Sequence, residues 1–164
     1  MRDKTRINRI VNSSIKKFIL PFLVISLLII ASCGGSSSTI GESVDATIYK
    51  SSSCGCCGIY AKYFKGQGFD TKIVDLPNID SIKQKYKIPY NLQSCHTTEI
   101  EGYFVEGHIP VDAVNKLLEE RPDIKGIAMP GMPSGSPGMP GRKVGDFVIY
   151  AVNHDESTYE FMRL

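Results

Sequence analysis

Three cysteines fall within four positions of the segment "KSSSCGCCGIYAKYFKGQGF", as Cys54, Cys56 and Cys57. Gly55 and Gly58 lie beside them, and glycine permits backbone dihedrals that let successive sulfurs turn toward one point. A helix is predicted to begin here, and the unpaired N–H groups at a helix N-terminus favour the thiolate form of cysteine. Such a cluster of sulfurs is suited to metal binding or to thiol–disulfide chemistry.

Further sulfur and nitrogen donors lie elsewhere in the chain. Cys95 and His96 are adjacent on a predicted strand, and His108 ends the strand that is predicted to pair with it. Thiolates and thioethers prefer Cu(I), whereas imidazole suits copper and zinc alike. The candidate metal ligands are therefore four cysteines, two histidines and three methionines of an irregular loop: Cys54, Cys56, Cys57, Cys95, His96, His108, Met129, Met132 and Met139.

Three kinds of chemistry are compatible with these residues. The four cysteines could form two structural disulfides, although the adjacent Cys56 and Cys57 would pair with each other only through a strained ring. Cys54 to Cys57 could instead be a redox C-x-x-C motif. The additional thiol of Cys56 between the two cysteines would then compete for the mixed disulfide with substrate, which is unfavourable for clean exchange. The third is a soft-metal site, which the additional imidazoles and thioethers favour.

Copper and zinc are the two candidate metals for such a site. A Cys₄ or Cys₃His set would satisfy the tetrahedral preference of Zn²⁺, for which C-x₂-C spacing is usual. C-x-C-C spacing crowds the sulfurs more closely, and exposed methionines assist copper but not zinc. The pattern therefore favours several Cu(I) ions bridged by thiolates, with zinc as the lesser alternative.

Residues 1–32 are predicted to be an export signal that ends at a lipoprotein cleavage site. Six Lys and Arg against one Asp precede an uncharged apolar run at residues 18–31, which is short for a transmembrane helix of about 20 residues. The sequence "IASC" resembles the lipobox of bacterial lipoproteins, in which the cysteine, here Cys33, is acylated. Residues 33–43 would form a flexible tether. An uncleaved membrane anchor is the alternative.

The charge of the remaining chain excludes one class of partner. Without residues 1–32, 13 Lys and Arg stand against 16 Asp and Glu, a net charge of −3, so nothing indicates a nucleic-acid partner. The expected location is the cell envelope, with the protein lipid-anchored to a membrane and facing the periplasm or exterior. The expected partners are copper ions, the membrane and a copper-transfer protein.

Residues 44–164 are predicted to form one α/β domain with a thioredoxin-like central sheet and flanking helices. The predicted order is β, cysteine loop, α, β, α, Pro, β, β, α, and the thioredoxin fold also places a cysteine motif between its first strand and first helix. Pro89 is expected to take the place of the proline that this fold keeps opposite its cysteines. In the first helix, Ile59, Tyr63 and Phe64 are predicted to share one helical face.

The second half of the domain is predicted from turn and helix signals. "CHTTEI" and "YFVEG" read as a hairpin joined by Glu101-Gly102, and "VDAVNKLLEE" as a helix that begins at Pro110. Residues 129–141 contain four prolines and four glycines and are predicted to be an irregular loop. A C-terminal β-hairpin completes the domain.

Four motifs along the chain resemble one known family. "SCGCCG", "IPYNLQSCHT", "GYFVEGHIP" and "GMPSGSPGM" are similar, in this order and over about residues 45–150, to the periplasmic copper-resistance proteins called CopG, long filed as a domain of unknown function. The resemblance implies a thioredoxin-like fold that carries a cysteine-bridged, multinuclear copper cluster. It also implies a role in copper handling or copper redox chemistry.

The resemblance assigns the same residues as the residue types do. The cysteine motif falls on Cys54, Cys56 and Cys57, the "SCHT" motif on Cys95 and His96, and the "EGH" motif on His108; the Met-rich loop carries Met129, Met132 and Met139. Many relatives have a tryptophan soon after the cysteines, and here Tyr60 is expected to fill that space. Many are soluble in the periplasm, in contrast to the anchor predicted here. Storage, transfer and oxidation of copper remain open, no catalytic residue is assigned, and a thiol oxidoreductase is the alternative function.

Overall fold

The computed structural model describes residues 43–164. Its helices and strands, in chain order, are β1 (Asp45–Ser51), α1 (Gly55–Gly66), β2 (Asp70–Leu76), α2 (Asp80–Lys85), a 3-10 helix (Tyr90–Leu92), β3 (His96–Ile100), β4 (Tyr103–Glu106), α3 (Val111–Glu120), β5 (Gly126–Ala128), β6 (Val148–Val152) and β7 (Thr158–Arg163). The predicted export signal, Cys33 and all but the end of the tether lie outside the described residues. Within 43–164, no helix has the length and apolar character needed to cross a bilayer.

The strands form one seven-stranded sheet in the order β2-β1-β3-β4-β5-β6-β7. β1 runs parallel to β2 and antiparallel to β3, and β3 is antiparallel to β4. These four strands with α1, α2 and α3 have the predicted thioredoxin-like order, so the α/β fold class is confirmed. β5, β6 and β7 extend the sheet beyond β4, and β6 and β7 are the predicted C-terminal hairpin.

Helix α1 packs its apolar side into the main core and carries the cysteines at its first turn. Its buried residues recur at helical spacing and are Cys57, Tyr60, Ala61 and Phe64. The Phe64 ring stacks on Phe69 at a centroid distance of 4.3 Å. Of the three residues predicted to share one helical face, Phe64 is buried, whereas Ile59 is 58% exposed.

Three strand ends meet at the same end of the sheet. Glu101 and Gly102 both have positive φ (48° and 85°), which is the mirror-image turn that suits a two-residue hairpin. β3 therefore begins beside the end of β4, and Lys50 near the end of β1 lies opposite His96. The cysteine loop after β1 is thus brought next to the start of β3 and the end of β4.

Pro89 lies in the connection between α2 and β3. It is the N-cap residue of the short 3-10 helix Tyr90–Leu92. Cys95 directly precedes β3, and its Sγ lies 3.4 Å from the Sγ of Cys57. Cys95 therefore meets the cysteine loop, and the position of Pro89 opposite the cysteines stays a prediction.

Candidate metal centre

The cysteine loop holds one disulfide with a free thiol near each of its sulfurs. Cys54, the residue before α1, is bonded to Cys57, whereas Cys56 and Cys95 form no disulfide within residues 43–164. The Sγ of Cys56 lies 3.5 Å from that of Cys54, and the Sγ of Cys95 lies 3.4 Å from that of Cys57. Cys54 and Cys57, predicted as thiolates, are thus oxidised in this structure, and all four sulfurs become available only after a two-electron reduction.

The cysteines and histidines form two overlapping groups of donor atoms. One group consists of Cys54, Cys56, Cys57 and Cys95, and the other of Cys57, Cys95, His96 and His108. Within each group all donor atoms lie within 4.8 Å of one another. The first group is mostly half-buried and the second mostly buried. The sulfurs of Cys57 and Cys95 belong to both.

His108 presents a nitrogen suited to metal binding. Its Nδ1 lies 2.7 Å from the carbonyl oxygen of Pro137, which can only accept a hydrogen bond, so Nδ1 carries the proton. Its Nε2 then has a free lone pair and lies 3.0 Å from the Sγ of Cys95. A backbone carbonyl that fixes the tautomer in this way is typical of histidine ligands to metals.

His96 is buried with one nitrogen unsatisfied. Its ring lies 4.4 Å from that of Tyr60 and 4.8 Å from that of His108, measured between centroids. Nδ1 is 3.4 Å from the Sγ of Cys95, whereas Nε2 has no hydrogen-bond partner within residues 43–164. A buried polar atom without a partner is costly, and a metal ion or a hydrogen-bonding group bound beside it would remove that cost.

The electrostatic surroundings keep both imidazoles in the form that binds metals. Burial, aided by nearby His108 and Lys83, holds the pKa of His96 well below its usual range. Burial likewise lowers the pKa of His108, against the opposing effect of the hydrogen bond to Pro137. Both rings are therefore neutral near pH 7. The pKa of the Cys95 thiol is raised to about 12, first by burial and then by the neighbouring Cys56, so a cation must displace its proton.

The loop of residues 129–141 contacts the centre mainly through its backbone. Ser94 Oγ donates to the carbonyl of Gly131 at 2.6 Å, and Pro137 holds His108. Gly138 packs against the first turn of α1, where an added Cβ would lie 2.8 Å from the backbone nitrogen of Tyr60. The loop has no regular structure, as predicted.

The three methionines differ in burial. Met129 is 1% exposed and belongs to the main core, so the expectation that this loop packs none of its methionines as core is wrong for Met129. Met132 is 51% exposed, and Met139 is partly buried. The short strand β5 causes the difference, because it ends directly before Met129 and carries it into the interior.

Tyr60, which was expected to fill the space of a larger aromatic residue, lies against the two histidines. Its ring is fully buried, and its hydroxyl donates to the carbonyl of Ile109 at 3.0 Å. The ring is tilted by 45° relative to that of His96, and it meets the ring of His108 edge-on at a centroid distance of 5.6 Å. It therefore forms an apolar floor that separates the imidazoles from the core.

Two contributors to the centre are absent from the sequence analysis. One is the carbonyl of Pro137, which no residue type could reveal. The other is Glu106, which is fully buried at the end of β4. A charged residue at an inward position of the apolar run "YFVEG" was the only available signal.

The donor set fits a soft metal ion. Four sulfurs and two neutral imidazoles converge, and one buried nitrogen is unsatisfied. No carboxylate belongs to either donor group, so the set does not suit the hard cations Mg²⁺ and Ca²⁺, which need oxygen ligands.

Comparison with known proteins agrees with this chemistry. Residues 92–139, which include Cys95, His96 and His108, match a family model described as "Protein of unknown function, DUF411". Two solved structures of copper resistance protein CopG, form 2 and form 1, are 32% identical to the chain, with TM-scores of 0.70 and 0.69. The matches cover 75% of this chain and 99% and 98% of those chains. No curated protein matches the sequence. The chain therefore belongs to the CopG-like DUF411 family.

Proposed function

We propose that this protein binds several Cu(I) ions in a cysteine-bridged cluster and acts in copper resistance or homeostasis. The observation that carries the proposal is that the two donor groups share the sulfurs of Cys57 and Cys95. A thiolate that belongs to two ligand sets can bridge two ions, whereas a mononuclear zinc site would need only one closed set. The similar solved structures are of copper resistance proteins.

The residues would have graded roles in this cluster. Cys57 and Cys95 would bridge, Cys54 and Cys56 would bind at the half-buried side, and His96 and His108 would supply nitrogen at the buried side. Cu(I) accepts such mixed sulfur and imidazole ligands. The partly exposed Met132 and Met139 would offer thioethers where the loop borders solvent.

Export and acylation at Cys33 complete the proposal. The basic segment, the apolar run and "IASC" support a mature protein that is anchored to a membrane through lipid and faces the periplasm or exterior. Cu(I) would then be received from, or passed to, a copper-transfer protein in the same compartment.

The test is elemental analysis of full-length protein that has been reduced and loaded with Cu(I) or Zn²⁺ without oxygen. More than one copper per chain is expected. Cys95→Ser should lower the copper count more than Cys56→Ser, because Cys95 belongs to both donor groups and Cys56 to one. Cys33→Ser is the matched control and should leave the count unchanged. One zinc and no copper per wild-type chain would refute the proposal.

A membrane-tethered thiol–disulfide oxidoreductase is the second candidate. The observation that favours it is the disulfide between Cys54 and Cys57, a C-x-x-C pair at the N-terminus of α1 in a thioredoxin-like fold. Such an enzyme would reduce insulin disulfides in the metal-free state and lose this activity in Cys54→Ser or Cys57→Ser. A copper-binding protein without this activity would show none above the thiol reductant alone.

A further inference from the structure

A buried ion pair lies directly behind the metal centre. Glu106, the last residue of β4, has no exposed surface, and Lys83 of α2 is only 6% exposed. The Nζ of Lys83 and the Oε1 of Glu106 are in ionic contact. Charged side chains are almost never fully buried unless they are paired, and even a buried pair is weak evidence for stability. The position of this pair therefore calls for another explanation.

The carboxylate of Glu106 also accepts two hydrogen bonds from the segment that contains Cys95 and His96. The backbone N–H of Ser94 donates to Oε1 at 2.5 Å, and the hydroxyl of Thr97 donates to Oε2 at 2.6 Å. These two donors lie immediately before Cys95 and immediately after His96. One carboxylate thus holds both ends of the dipeptide that supplies a bridging sulfur and an imidazole.

The backbone around Glu106 ties the same segment to the other parts of the centre. Gly107 N donates to the carbonyl of His96 at 3.0 Å, one residue before His108. Met129 N donates to the carbonyl of Glu106 at 3.0 Å, at the start of the loop that covers the centre. Glu106 therefore joins β3, the residues that lead to His108, and the loop.

We propose that Glu106, anchored by Lys83, is a positioning residue that holds Cys95 and His96 in the geometry required for metal binding. The inference rests on the proposed copper site, because the gain from positioning is a gain in metal affinity. Side chains that orient metal ligands typically change affinity by roughly 10- to 100-fold when they are replaced.

A carboxylate suits this position because each of its two oxygens accepts from a different part of the segment, and its charge pairs with Lys83. A glutamine has almost the same shape but carries no charge and has only one acceptor oxygen. Its NH₂ group would face either the Thr97 hydroxyl, which would have to turn from donor to acceptor, or the Ser94 N–H and Lys83, which can only donate. Glu106→Gln therefore removes the ion pair and weakens the clamp without leaving a cavity. Thr97→Val removes a single donor at nearly constant volume and is the milder variant.

The experiment uses full-length protein and two readouts. The first, in metal-free protein with the Cys54–Cys57 disulfide intact, is the rate at which iodoacetamide alkylates Cys95, followed by peptide mass spectrometry. The second is the Cu(I) affinity of reduced protein in competition with a chromophoric Cu(I) chelator. Val114→Ala is the control for general destabilisation, because Val114 is fully buried in α3 and makes none of these hydrogen bonds.

In Glu106→Gln, iodoacetamide should alkylate Cys95 roughly tenfold faster than in wild type, and Cu(I) should bind roughly tenfold more weakly. Thr97→Val should change the alkylation rate and the Cu(I) affinity in the same direction but by a smaller factor. If Glu106→Gln does not fold, Thr97→Val is the variant that tests the inference. Val114→Ala should leave both near wild type. The inference is overturned if the clamp variants match wild type, or if Val114→Ala changes both readouts equally. If wild-type protein binds no copper, the proposed function fails, while the alkylation rates still test the positioning role.

Discussion

At the scale of single residues, the centre combines two donors that differ in their need to lose a proton. Both imidazoles are neutral near pH 7 because burial lowers their pKa values. The thiol of Cys95 has a pKa of about 12 and keeps its proton until a cation replaces it. Protons should therefore compete with the metal ion for the sulfur atom of Cys95 and not for the histidine nitrogens.

Cu(I) affinity should consequently fall as the pH is lowered from 8 to 6.5. Protonated Cys95 is the favoured state throughout this range, so displacing its one proton weakens the affinity about tenfold per pH unit. Chelator competition at several pH values measures the slope, and Cys95→Ser should reduce it by about one proton. An affinity that does not change with pH would contradict the assignment of Cys95 as a thiolate ligand.

At the scale of elements, the site depends on how the loop of residues 129–141 closes against α1. Gly138 has φ +83°, and a Cβ there would lie 2.8 Å from Tyr60 N and 3.0 Å from the carbonyl oxygen of Cys56. The adjacent Pro137 holds the tautomer of His108. A side chain at Gly138 would thus push apart the two elements that carry the cysteines and this carbonyl.

Gly138→Ala should lower both the free energy of unfolding and the Cu(I) affinity. Gly145→Ala is a matched control, because Gly145 also has a positive φ (+75°) but an added Cβ there meets nothing within 4 Å. Backbone strain alone should cost Gly145→Ala about 1–2 kcal/mol, and the clash should cost Gly138→Ala about 1–3 kcal/mol more. Urea unfolding and chelator competition measure the two effects. Equal losses in both variants would show that loop closure is not decisive.

Elements with strong local signals were predictable from the sequence. Helix α3 begins after Pro110 and spans the ten residues "VDAVNKLLEE", and the Glu101-Gly102 turn sets the β3–β4 register. β5 was not predicted, because its three residues are too few to show a period and are defined by pairing with β4 and β6. Ile59 was predicted to share a helical face with Tyr63 and Phe64, but it is not among the buried residues of α1, which are defined by packing against distant parts of the chain.

The types of the candidate donor residues were predictable, but the contacts that organise them were not. Cys54, Cys56, Cys57, Cys95, His96 and His108 converge as their chemistry suggested. The carbonyl of Pro137 lies 29 residues from His108, and Glu106 lies 12 residues from Ser94. Such contacts arise from tertiary structure, in which a backbone group or a buried charge meets a distant partner, and no local pattern encodes them.

At the scale of the whole molecule, the N-terminal segment and the remainder of the chain carry net charges of opposite sign. The basic excess belongs to residues 1–32, and the remainder has a net charge of −3. Electrostatic attraction would therefore not hold the processed protein at an anionic membrane surface, and the proposed anchor at Cys33 would have to do so.

Cys33→Ser should therefore move the protein from the membrane fraction to the soluble extracytoplasmic fraction, or leave an unprocessed precursor. Its copper content per chain should equal that of wild type, because Cys33 precedes the domain that holds the donor groups. Fractionation with immunoblotting and mass spectrometry of the N-terminal peptide measure these outcomes. Membrane retention of a processed Cys33→Ser chain would contradict lipid anchoring.

The two sulfurs common to both donor groups have a consequence for the order in which metal ions bind. An ion bound at one side would draw Cys57 and Cys95 into their deprotonated, fixed positions and so prepare the other side for the next ion. Occupancy should then be cooperative. Native mass spectra recorded with less copper than protein would be dominated by empty and fully loaded chains, with few in between.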